Sequence, residues 1–426
     1  MKRELVFCDA KGKAYNFPGL VPAGMKAGAF FTLDKAPLVR LPDASELFLL
    51  PERMPVGFDP KSGKPVALDS DPYSAKAGKP VYAVAAFIPP GYTLTHSTAY
   101  TECPGAKTLP LFAYAACVYA GGHFHVPAVR VDKDRRHDER YLQAGRVLAG
   151  IRKVKRLFPK NRLVAHLEVC ARVSGCANAK NFFLGRFEAP APASPACNAR
   201  CRGCISLQPE GGDFPSTQTR ITFRPHPEEI AELAVFHLER AAHPMVSFGQ
   251  GCEGEPLLAA RVIEKAVRLI RARTSKGCIN LNTNASRPEA LKRLFAAGLT
   301  HMRVSMNSVR EPYYSRYYRP RGYSFKDVTR SVRAAKRCGV HVSLNYLCMP
   351  GFTDTIEESD ALIAFIQKHR IDMIQWRNLN YDPIRYFKEL QLRPSTSTLI
   401  GIKETIARTK KAHPPLKSGY FNPLIK

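Results

Sequence analysis

Hydrophobic and polar positions alternate in two different ways along this chain of 426 residues. In the first third, short apolar runs such as 45–50 and 81–88 are separated by turns rich in Pro and Gly, a pattern typical of β structure. Beyond residue 180, strand and helix periods follow each other in turn. We predict a β-rich domain at residues 1–135, a helical connector at 136–180, a strand–helix core at 181–380, and a C-terminal cap or tail at 381–426.

The core contains six predicted strands with helices between them. The strands are expected at 182–188, 245–249, 278–284, 301–307, 340–347 and 371–378. The helices are expected at 226–243, 257–273, 287–297, 325–338 and 353–369. Such alternation implies a parallel sheet with right-handed crossovers, because a helix is needed to return each strand to the same direction. The periodicity leaves open whether the sheet is a partial barrel or an open doubly wound sheet.

Three cysteines stand close together in the stretch before the first long helix of the core. Cys197, Cys201 and Cys204 are spaced Cys-x-x-x-Cys-x-x-Cys, so one short loop can bring their thiols together. Thiolates are soft ligands suited to iron and zinc, and a [4Fe–4S] cluster normally takes four of them. With three thiols and no obvious fourth, one iron would be open to a non-protein ligand. Because the chain has 12 cysteines, a zinc knuckle, a disulfide pair or unrelated thiols remain alternatives.

Polar residues recur where the predicted strands end, which is where parallel α/β folds bind their ligands. They are Gly254 and Glu255 after the second strand, Asn282 and Asn284 at the third strand end, and Ser305 and Asn307 at the fourth. A carboxylate accepts from an ammonium group, and amides and hydroxyls supply donors and acceptors without added charge. The alternative is ordinary turn and helix-cap chemistry.

Together, the cysteine spacing and these segments resemble the radical S-adenosylmethionine (SAM) superfamily. The resemblance implies that the three cysteines hold a [4Fe–4S] cluster whose open iron is chelated by the amino and carboxylate groups of SAM. It implies that Gly254 and Glu255 bind the amino group, and that the third and fourth strand ends face the carboxylate and ribose. The implied fold is α/β, with a partial (β/α)6 TIM-like barrel preceded by the small β-rich domain.

The resemblance also implies the chemistry. Reduction by one electron, from a donor such as flavodoxin or ferredoxin, cleaves SAM to methionine and a 5′-deoxyadenosyl radical that abstracts hydrogen from a substrate. Arg316 is the candidate fork for the methionine carboxylate, with Arg319 as its competitor. Segment 348–354 resembles an adenine-binding loop, and segment 375–380 brings substrate or adenine contacts or a structural tryptophan. No residue is assigned as catalytic, and RNA, a protein side chain and a metabolite remain possible substrates.

Three positions depart from the family pattern. Glu253 stands where a glycine is usual, and Asn307 replaces a commoner aspartate. Gly203 replaces an aromatic residue, so the shielding of the cluster or the adenine contact is expected to differ there. No cysteine follows Cys348, which argues against the C-terminal cysteine domain of peptide-maturing relatives. The same absence argues against the RNA-methylating relatives that use a late catalytic cysteine.

The other cysteines and two histidines give weaker signals. Four cysteines number enough for a second cluster or a zinc site, but their spacing matches nothing specific and we expect buried or free thiols: Cys103, Cys117, Cys170 and Cys176. Cys252 is a hypothetical quencher of a substrate radical. His123 and His125 are expected on a strand surface rather than at a metal.

The chain is strongly basic, with a formal charge of +28 and a pI near 9.8. Such a charge attracts polyanions, so nucleic acid is a possible partner, although the basic residues are scattered. The alternative function is therefore a non-enzymatic iron–sulfur or zinc protein that binds nucleic acid. No signal peptide and no membrane-spanning run is evident, so we expect a cytoplasmic protein with reduced thiols and no membrane partner.

Overall fold

The computed structural model describes residues 2–74, 78–134, 136–393 and 398–423. The boundary predicted at residue 135 falls on a residue outside these ranges. Within them the chain forms an antiparallel β domain, three helices, and a parallel sheet covered by helices. No helix among the described residues is both long and apolar enough to cross a membrane.

The N-terminal domain consists of short strands joined by tight turns, as its Pro- and Gly-rich pattern predicts. Its strands are β1 (Arg3–Cys8), β2 (Ala14–Phe17), β3 (Val21–Lys26), β4 (Ala29–Thr32), β5 (Val39–Arg40), β6 (Glu46–Leu50), β7 (Arg53–Phe58), β8 (Pro65–Ala67), β9 (Tyr82–Phe87), β10 (Tyr92–Leu94), β11 (Ser97–Thr98), β12 (Tyr100–Glu102), β13 (Ala115–Ala116), β14 (Val118–Ala120), β15 (His123–Val126) and β16 (Ala128–Arg130). Fourteen of them form one antiparallel sheet, and β10 pairs with β16 separately. The predicted β-rich domain is confirmed.

Three helices follow: α1 (Ala144–Leu157), α2 (Arg162–Arg172) and α3 (Ala177–Leu184). Here the structure differs from the strand predicted at 182–188. Phe182 and Phe183, predicted to begin that strand, are buried residues of α3, because the helix continues until Gly185 ends it in a left-handed conformation, with φ of 66°. Cys170 is a buried thiol, as expected, and lies on the apolar face of α2 that packs into the core.

The core sheet has seven parallel strands in chain order. They are β17 (Arg186–Pro190), β18 (Ala242–Phe248), β19 (Cys278–Thr283), β20 (His301–Met306), β21 (His341–Cys348), β22 (Met373–Asn378) and β23 (Lys417–Gly419). The accompanying helices are α4 (Pro227–Leu238), α5 (Ala260–Arg273), α6 (Pro288–Ala297), α7 (Glu311–Tyr318), α8 (Phe325–Arg337), α9 (Ile356–His369), α10 (Pro383–Glu389) and α11 (Ile402–Ala412). Short 3-10 helices occur at Glu139–Tyr141 and Pro256–Ala259.

The sheet is a partial barrel, as predicted from the resemblance. Helices α4, α5, α6, α8, α9 and α11 pack one against the next in a single layer. One face of the sheet is therefore covered by helices, and the other carries polar side chains that surround a cavity. An open doubly wound sheet would instead carry helices on both faces.

The C-terminal residues differ from the predicted cap or tail. Helices α10 and α11 pack on the core, and β23 extends the sheet by pairing with β22 in parallel. The strand β23 has only three residues, which is too short to show a hydrophobic period. The start signals of α10 are present, since Asp382 caps it and Pro383 begins it, but the basic residues around them hide its helical pattern.

The N-terminal domain contacts the core at β22. The hydroxyl of Thr93 donates to the carbonyl oxygen of Trp376 over 2.9 Å, and the backbone nitrogen of Leu94 donates to Asn378 Oδ1 over 2.9 Å. The amide of Asn378 donates back to the carbonyl oxygen of Tyr92 over 3.0 Å. These bonds fix β10 against the carboxyl end of β22, which borders the cavity.

Candidate active site

A cavity of about 400 Å³ lies at the carboxyl ends of the core strands. Most of the residues predicted as cluster or SAM ligands from the sequence line it together. They are Cys197, Cys201, Cys204, Gly254, Glu255, Asn282, Asn284 and Ser305. Residues far apart in the chain meet here because parallel strands end at one edge of a sheet.

The cysteine loop is held against α7 by backbone hydrogen bonds. The nitrogens of Arg200 and Arg202 donate to the carbonyl oxygens of Tyr318 and Tyr317, each over 3.0 Å. An extended backbone segment here would otherwise have unsatisfied polar groups. These two bonds fix the loop against α7.

The three loop thiols converge and are free. Burial raises the pKa of Cys197, and burial together with the nearby thiols Cys204 and Cys197 raises the pKa of Cys201 well above its ordinary value. None of the three forms a disulfide. The charges of these thiols affect one another's pKa, so the three side chains lie near one another, and the positive charge of bound iron would offset the repulsion between the thiolates.

The loop that contains Gly254, Glu255 and Pro256 packs directly on the cysteine loop. The nitrogen of Gly254 donates to the carbonyl oxygen of Ser194 over 2.7 Å, and that of Glu255 donates to Ala196 over 2.9 Å. A Cβ atom on residue 254 would overlap the carbonyl oxygen of Ala196. Glycine is required at this position by the close approach of the two loops.

Glu255 places a buried carboxylate at the cavity wall. Burial raises its pKa to about 7, although the nitrogen of Asn284 donates to Oε2 over 2.8 Å and the hydroxyl of Thr283 also donates to the carboxylate. These bonds orient the side chain. A cationic ligand would stabilise its ionised form, as expected for a group that accepts from an ammonium.

Glu253, the residue that departs from the family's usual glycine, supports the loops instead. Its Oε2 accepts from the nitrogens of Ala193 and Ser194 over 2.8 and 3.0 Å, and Oε1 accepts from the nitrogen of Gly249. Burial raises its pKa to about 8. The carboxylate thus links the segment that follows β17 to the loop that follows β18 by hydrogen bonds.

The two asparagines at the end of β19 have different partners. The amide of Asn284 donates to Asn198 Oδ1 over 2.8 Å and so holds the cysteine loop. Asn282 Oδ1 accepts from the amide of Asn280 over 2.8 Å, but Asn282 Nδ2 is buried and lacks a partner. An unpaired buried donor at the cavity wall fits an anionic or carbonyl acceptor of a bound ligand.

Two residues predicted from the resemblance lie elsewhere. The amide of Asn307 donates to the hydroxyl of Tyr386 over 3.1 Å, and Asn307 is fully buried behind the cavity. Arg316 Nη1 donates to the carbonyl oxygen of Leu390 over 2.7 Å. The position of Arg316 follows from α7, a helix that the sequence prediction missed. This helix directs Arg316 toward the end of α10, and Arg319 is exposed where α7 ends.

Helix α7 also contributes two aromatic residues that sequence reasoning missed. Tyr317 and Tyr318 are buried and line the cavity beside the cysteine loop. A Cβ atom on Gly203 would lie 2.9 Å from the hydroxyl of Tyr317. The glycine that replaces the usual aromatic residue therefore leaves room for an aromatic side chain from another element. The signal was the tyrosine pairs at helical spacing in 313–318.

Two arginines inside the barrel were also missed. Arg303 of β20 and Arg377 of β22 line the cavity, and the Nε atom of each is buried without a partner. Arg303 Nη1 donates to Gln375 Oε1 over 3.0 Å, and the guanidinium of Arg377 lies 4.1 Å from the ring centre of Tyr420. Neither forms an ion pair within 4.0 Å among the described residues. The signal was polar alternation along β20, at His301, Arg303 and Ser305.

Burial, together with the nearby charge of Arg377, lowers the pKa of Arg303 to about 9. Glu188 of β17 is the counter-charge: burial raises its pKa, but Arg303, the Ser247 hydroxyl and other cations together bring that pKa below its ordinary value. Among the described residues, Arg377 has no carboxylate within 4.0 Å, so its guanidinium can bind an anionic ligand.

The remaining predicted segments are placed as follows. Among the described residues of 348–354 none lines the cavity, whereas Asn378, Leu379 and Asn380 do. Trp376 is fully buried, with its ring centre 5.9 Å from that of Tyr346. Its position is that of a structural tryptophan, which was the alternative to a substrate or adenine contact.

The other cysteines do not gather at one place. Cys103 and Cys117 belong to the N-terminal domain, whereas Cys170, Cys176 and Cys252 lie near one another beside α2. Cys252 is buried and does not line the cavity. His123 is exposed on β15.

The part of the chain that forms this site also matches a known family. Residues 192–363 match the family model of the radical SAM superfamily. Among solved structures, the chain is similar to methylornithine synthase (PylB), with 17% identity, 58% of this chain and 69% of that chain covered, and a TM-score of 0.37. A radical SAM methyltransferase from Sphaerobacter thermophilus matches with 15% identity, 54% and 64% coverage, and a TM-score of 0.38.

Proposed function

We propose that this chain, whose residues 192–363 match the family model, is an enzyme of the radical SAM superfamily and acts on a substrate whose anionic group binds Arg303 and Arg377. Its cofactors are a [4Fe–4S] cluster and SAM. The observation that carries the proposal is the single cavity lined by three free thiols, the SAM-type segments and two arginines without carboxylate partners.

The residues present fit the cofactors. Cys197, Cys201 and Cys204 would hold three irons, and the donor set leaves the fourth to SAM. When bound, the cluster and SAM supply reductive cleavage to a 5′-deoxyadenosyl radical that abstracts hydrogen from the substrate. The unpaired Asn282 Nδ2 and the buried Glu255 carboxylate fit the carboxylate and ammonium groups of a methionine moiety.

The protein's own residues orient the ligands and exclude water. Tyr317 and Tyr318 cover one side of the cysteine loop, which would limit the access of oxygen and solvent to a reactive intermediate. On the opposite strands, Arg303 and Arg377 would hold the substrate's anionic group. Glu188 keeps Arg303 in place through its charge without neutralising Arg377.

The proposal can be tested in two independent assays. After anaerobic reconstitution with iron and sulfide, the enzyme should release 5′-deoxyadenosine from SAM in the presence of dithionite, and a variant lacking all three loop thiols should not. Phosphate serves as the anion probe: it should raise the melting temperature of the enzyme and should fail to do so in an Arg303→Met/Arg377→Met variant. Release of 5′-deoxyadenosine without a phosphate effect would refute only the anionic substrate.

The charge of +28 favours a second candidate, a protein that binds nucleic acid without SAM turnover. It predicts binding to RNA or DNA that weakens steeply with salt, and no 5′-deoxyadenosine under reducing conditions. The ordered motifs around one cavity support the enzyme, because a binding module has no need of them.

A further inference from the structure

A second group of metal-ligating side chains lies outside the cavity. Among the residues that the structure describes, His166, Cys170 and Cys252 are the trio of potential ligands whose ligand atoms all lie within 4.8 Å of one another. Cys170 Sγ is 3.6 Å from His166 Nε2. Both cysteines are almost completely buried, and their thiols are free.

The local sequence explains this convergence. His166 and Cys170 are four residues apart on α2, so they lie on the same face of the helix. Cys252 comes from the loop after β18 that also carries Gly254 and Glu255. The nitrogen of Ile221 donates to the carbonyl oxygen of Cys252 over 2.8 Å, which fixes the loop. The trio thus joins the helical connector to the loop assigned to SAM.

The spacing fits one ion and not a cluster. In a tetrahedral zinc site, with Zn–S bonds of about 2.3 Å, neighbouring ligand atoms are about 3.5–4 Å apart. Thiolates that hold a [4Fe–4S] cube each bind a different iron, and so they stand farther apart. Two thiolates and an imidazole are a ligand set typical of zinc.

A further thiol lies beside the trio. The nitrogen of Cys176 donates to the carbonyl oxygen of Cys170 over 2.9 Å, which brings the start of α3 against the end of α2. Cys176 is therefore the thiol next to the trio, but its sulfur is not one of the ligand atoms that lie within 4.8 Å of one another, so it would have to move toward them to bind the same ion.

We propose that His166, Cys170 and Cys252 bind a structural zinc ion, with Cys176 completing its coordination. On binding, zinc forms bonds to the sulfurs and one imidazole nitrogen, and the displaced thiol protons go to solvent. The ion links α2 to the loop after β18 and so stabilises the position of Gly254 and Glu255. This site is separate from the three thiols at the cavity, and it does not depend on the proposed reaction.

The test is the metal content of the full-length chain. Purified with zinc and iron supplied, it should contain about one zinc ion per chain. The double variant Cys170→Ser/Cys252→Ser should lose zinc at least about tenfold and keep its iron. Cys338→Ser, which changes an exposed thiol, is the matched control and should keep both metals.

Two further variants keep the proposal falsifiable if the double variant does not fold. His166→Ala removes a half-buried ligand and should also lose zinc, whereas Cys197→Ala/Cys201→Ala/Cys204→Ala should lose iron and retain zinc. The proposal is overturned if the wild-type chain contains no zinc, if zinc follows the three cavity thiols, if the trio holds iron and sulfide, or if alkylation shows a disulfide between Cys170 and Cys252.

Discussion

At the scale of single residues, the cavity wall carries an unpaired amide and two unpaired guanidinium nitrogens. Asn282 Nδ2, Arg303 Nε and Arg377 Nε are buried donors without partners. Native proteins satisfy nearly all such groups, because an unpaired buried donor costs about 1–3 kcal/mol. A ligand bound in the cavity would supply acceptors for these three donors.

For Asn282→Ala, we expect SAM to bind about tenfold more weakly, because one hydrogen bond to a charged group is lost. Asn282→Asp should bind more weakly still, since a carboxylate would repel the carboxylate of SAM. Equilibrium dialysis with the reconstituted, oxidised enzyme measures both. Equal affinity in the wild type and both variants would show that Asn282 does not contact SAM.

For Arg377→Met, we expect phosphate at about ten times its dissociation constant to lose its stabilising effect, which in the wild type corresponds to about 1.4 kcal/mol. The guanidinium is the only part of the residue that can bind an anion, and methionine preserves the apolar length. Thermal melting with and without phosphate gives the result. Arg152→Met, on the exposed face of α1, is the control and should respond to phosphate like the wild type; a normal response of Arg377→Met would contradict the anion site.

The sequence predicted site residues that belong to local motifs and missed those that depend on tertiary placement. The loop cysteines, Gly254 and Asn282 follow recognisable spacings. Arg303 and Arg377 lie at inward positions of strands, where alternation shows a polar face but cannot show that this face borders a cavity. The resemblance assigned Arg316 to the site, and the sequence could not correct this because it does not show where a short helix directs its side chains.

At the scale of elements, helix ends were the most legible signals. Pro227 begins α4, and Gly298 ends α6 in a left-handed conformation with φ of 113°. The five long core helices and the strands between them were predicted to within a few residues. The elements that were missed are α7, α10, α11 and β23. Apart from α11 they have eight residues or fewer, and the stability of such short elements comes from packing rather than from a hydrophobic period.

Glu229 shows how one side chain fixes two helices. Its carboxylate accepts from the nitrogen of His226 over 2.7 Å at the start of α4 and from Arg162 Nε over 2.9 Å at the start of α2. The hydrogen bonds from Arg162, opposed in part by burial and aided by the His226 nitrogen, lower the pKa of Glu229 to about 2. The ionised form is thus strongly preferred in the folded state.

We expect Glu229→Gln to lower the free energy of unfolding by about 1–2 kcal/mol at pH 7, because a charged cap becomes neutral. A lowered carboxyl pKa contributes stability above the unfolded value near 4.5, and this contribution is lost as pH falls toward 2. The difference between variant and wild type should therefore shrink between pH 5 and about 3. Urea unfolding measures it, with Glu228→Gln, an exposed neighbour, as the control.

If the two proteins differ by the same amount at every pH, the loss in Glu229→Gln comes from altered packing and not from the charge. If Glu228→Gln loses as much stability, the capping interaction has no special role.

At the scale of the whole molecule, the N-terminal domain closes against the core near segment 348–354. Lys26 Nζ lies 3.4 Å from Asp354 Oδ2, and burial raises the pKa of that carboxyl group. Gly351 has φ of 90°, and a Cβ atom there would overlap the backbone nitrogen of Ala27. The segment predicted as an adenine loop therefore has a visible role in domain contact, which no periodicity in the sequence could show.

Gly351→Ala should lower the free energy of unfolding by more than Gly322→Ala. Both glycines have positive φ, so each substitution strains the backbone by about 1 kcal/mol, but only residue 351 faces a neighbouring backbone. The additional loss from overpacking should be about 1–3 kcal/mol. Chemical denaturation compares the two, and equal losses would show that the domain contact can relax.

The central claim is that three thiolates hold a [4Fe–4S] cluster with one iron left for SAM. Electron paramagnetic resonance of the dithionite-reduced enzyme tests it most directly, because a ligand on the open iron changes the spectrum of the cluster. We expect a four-iron signal that shifts when SAM is added, and no such signal in Cys201→Ala. A reduced cluster whose spectrum does not respond to SAM, or zinc bound at these thiols in place of iron, would contradict the account.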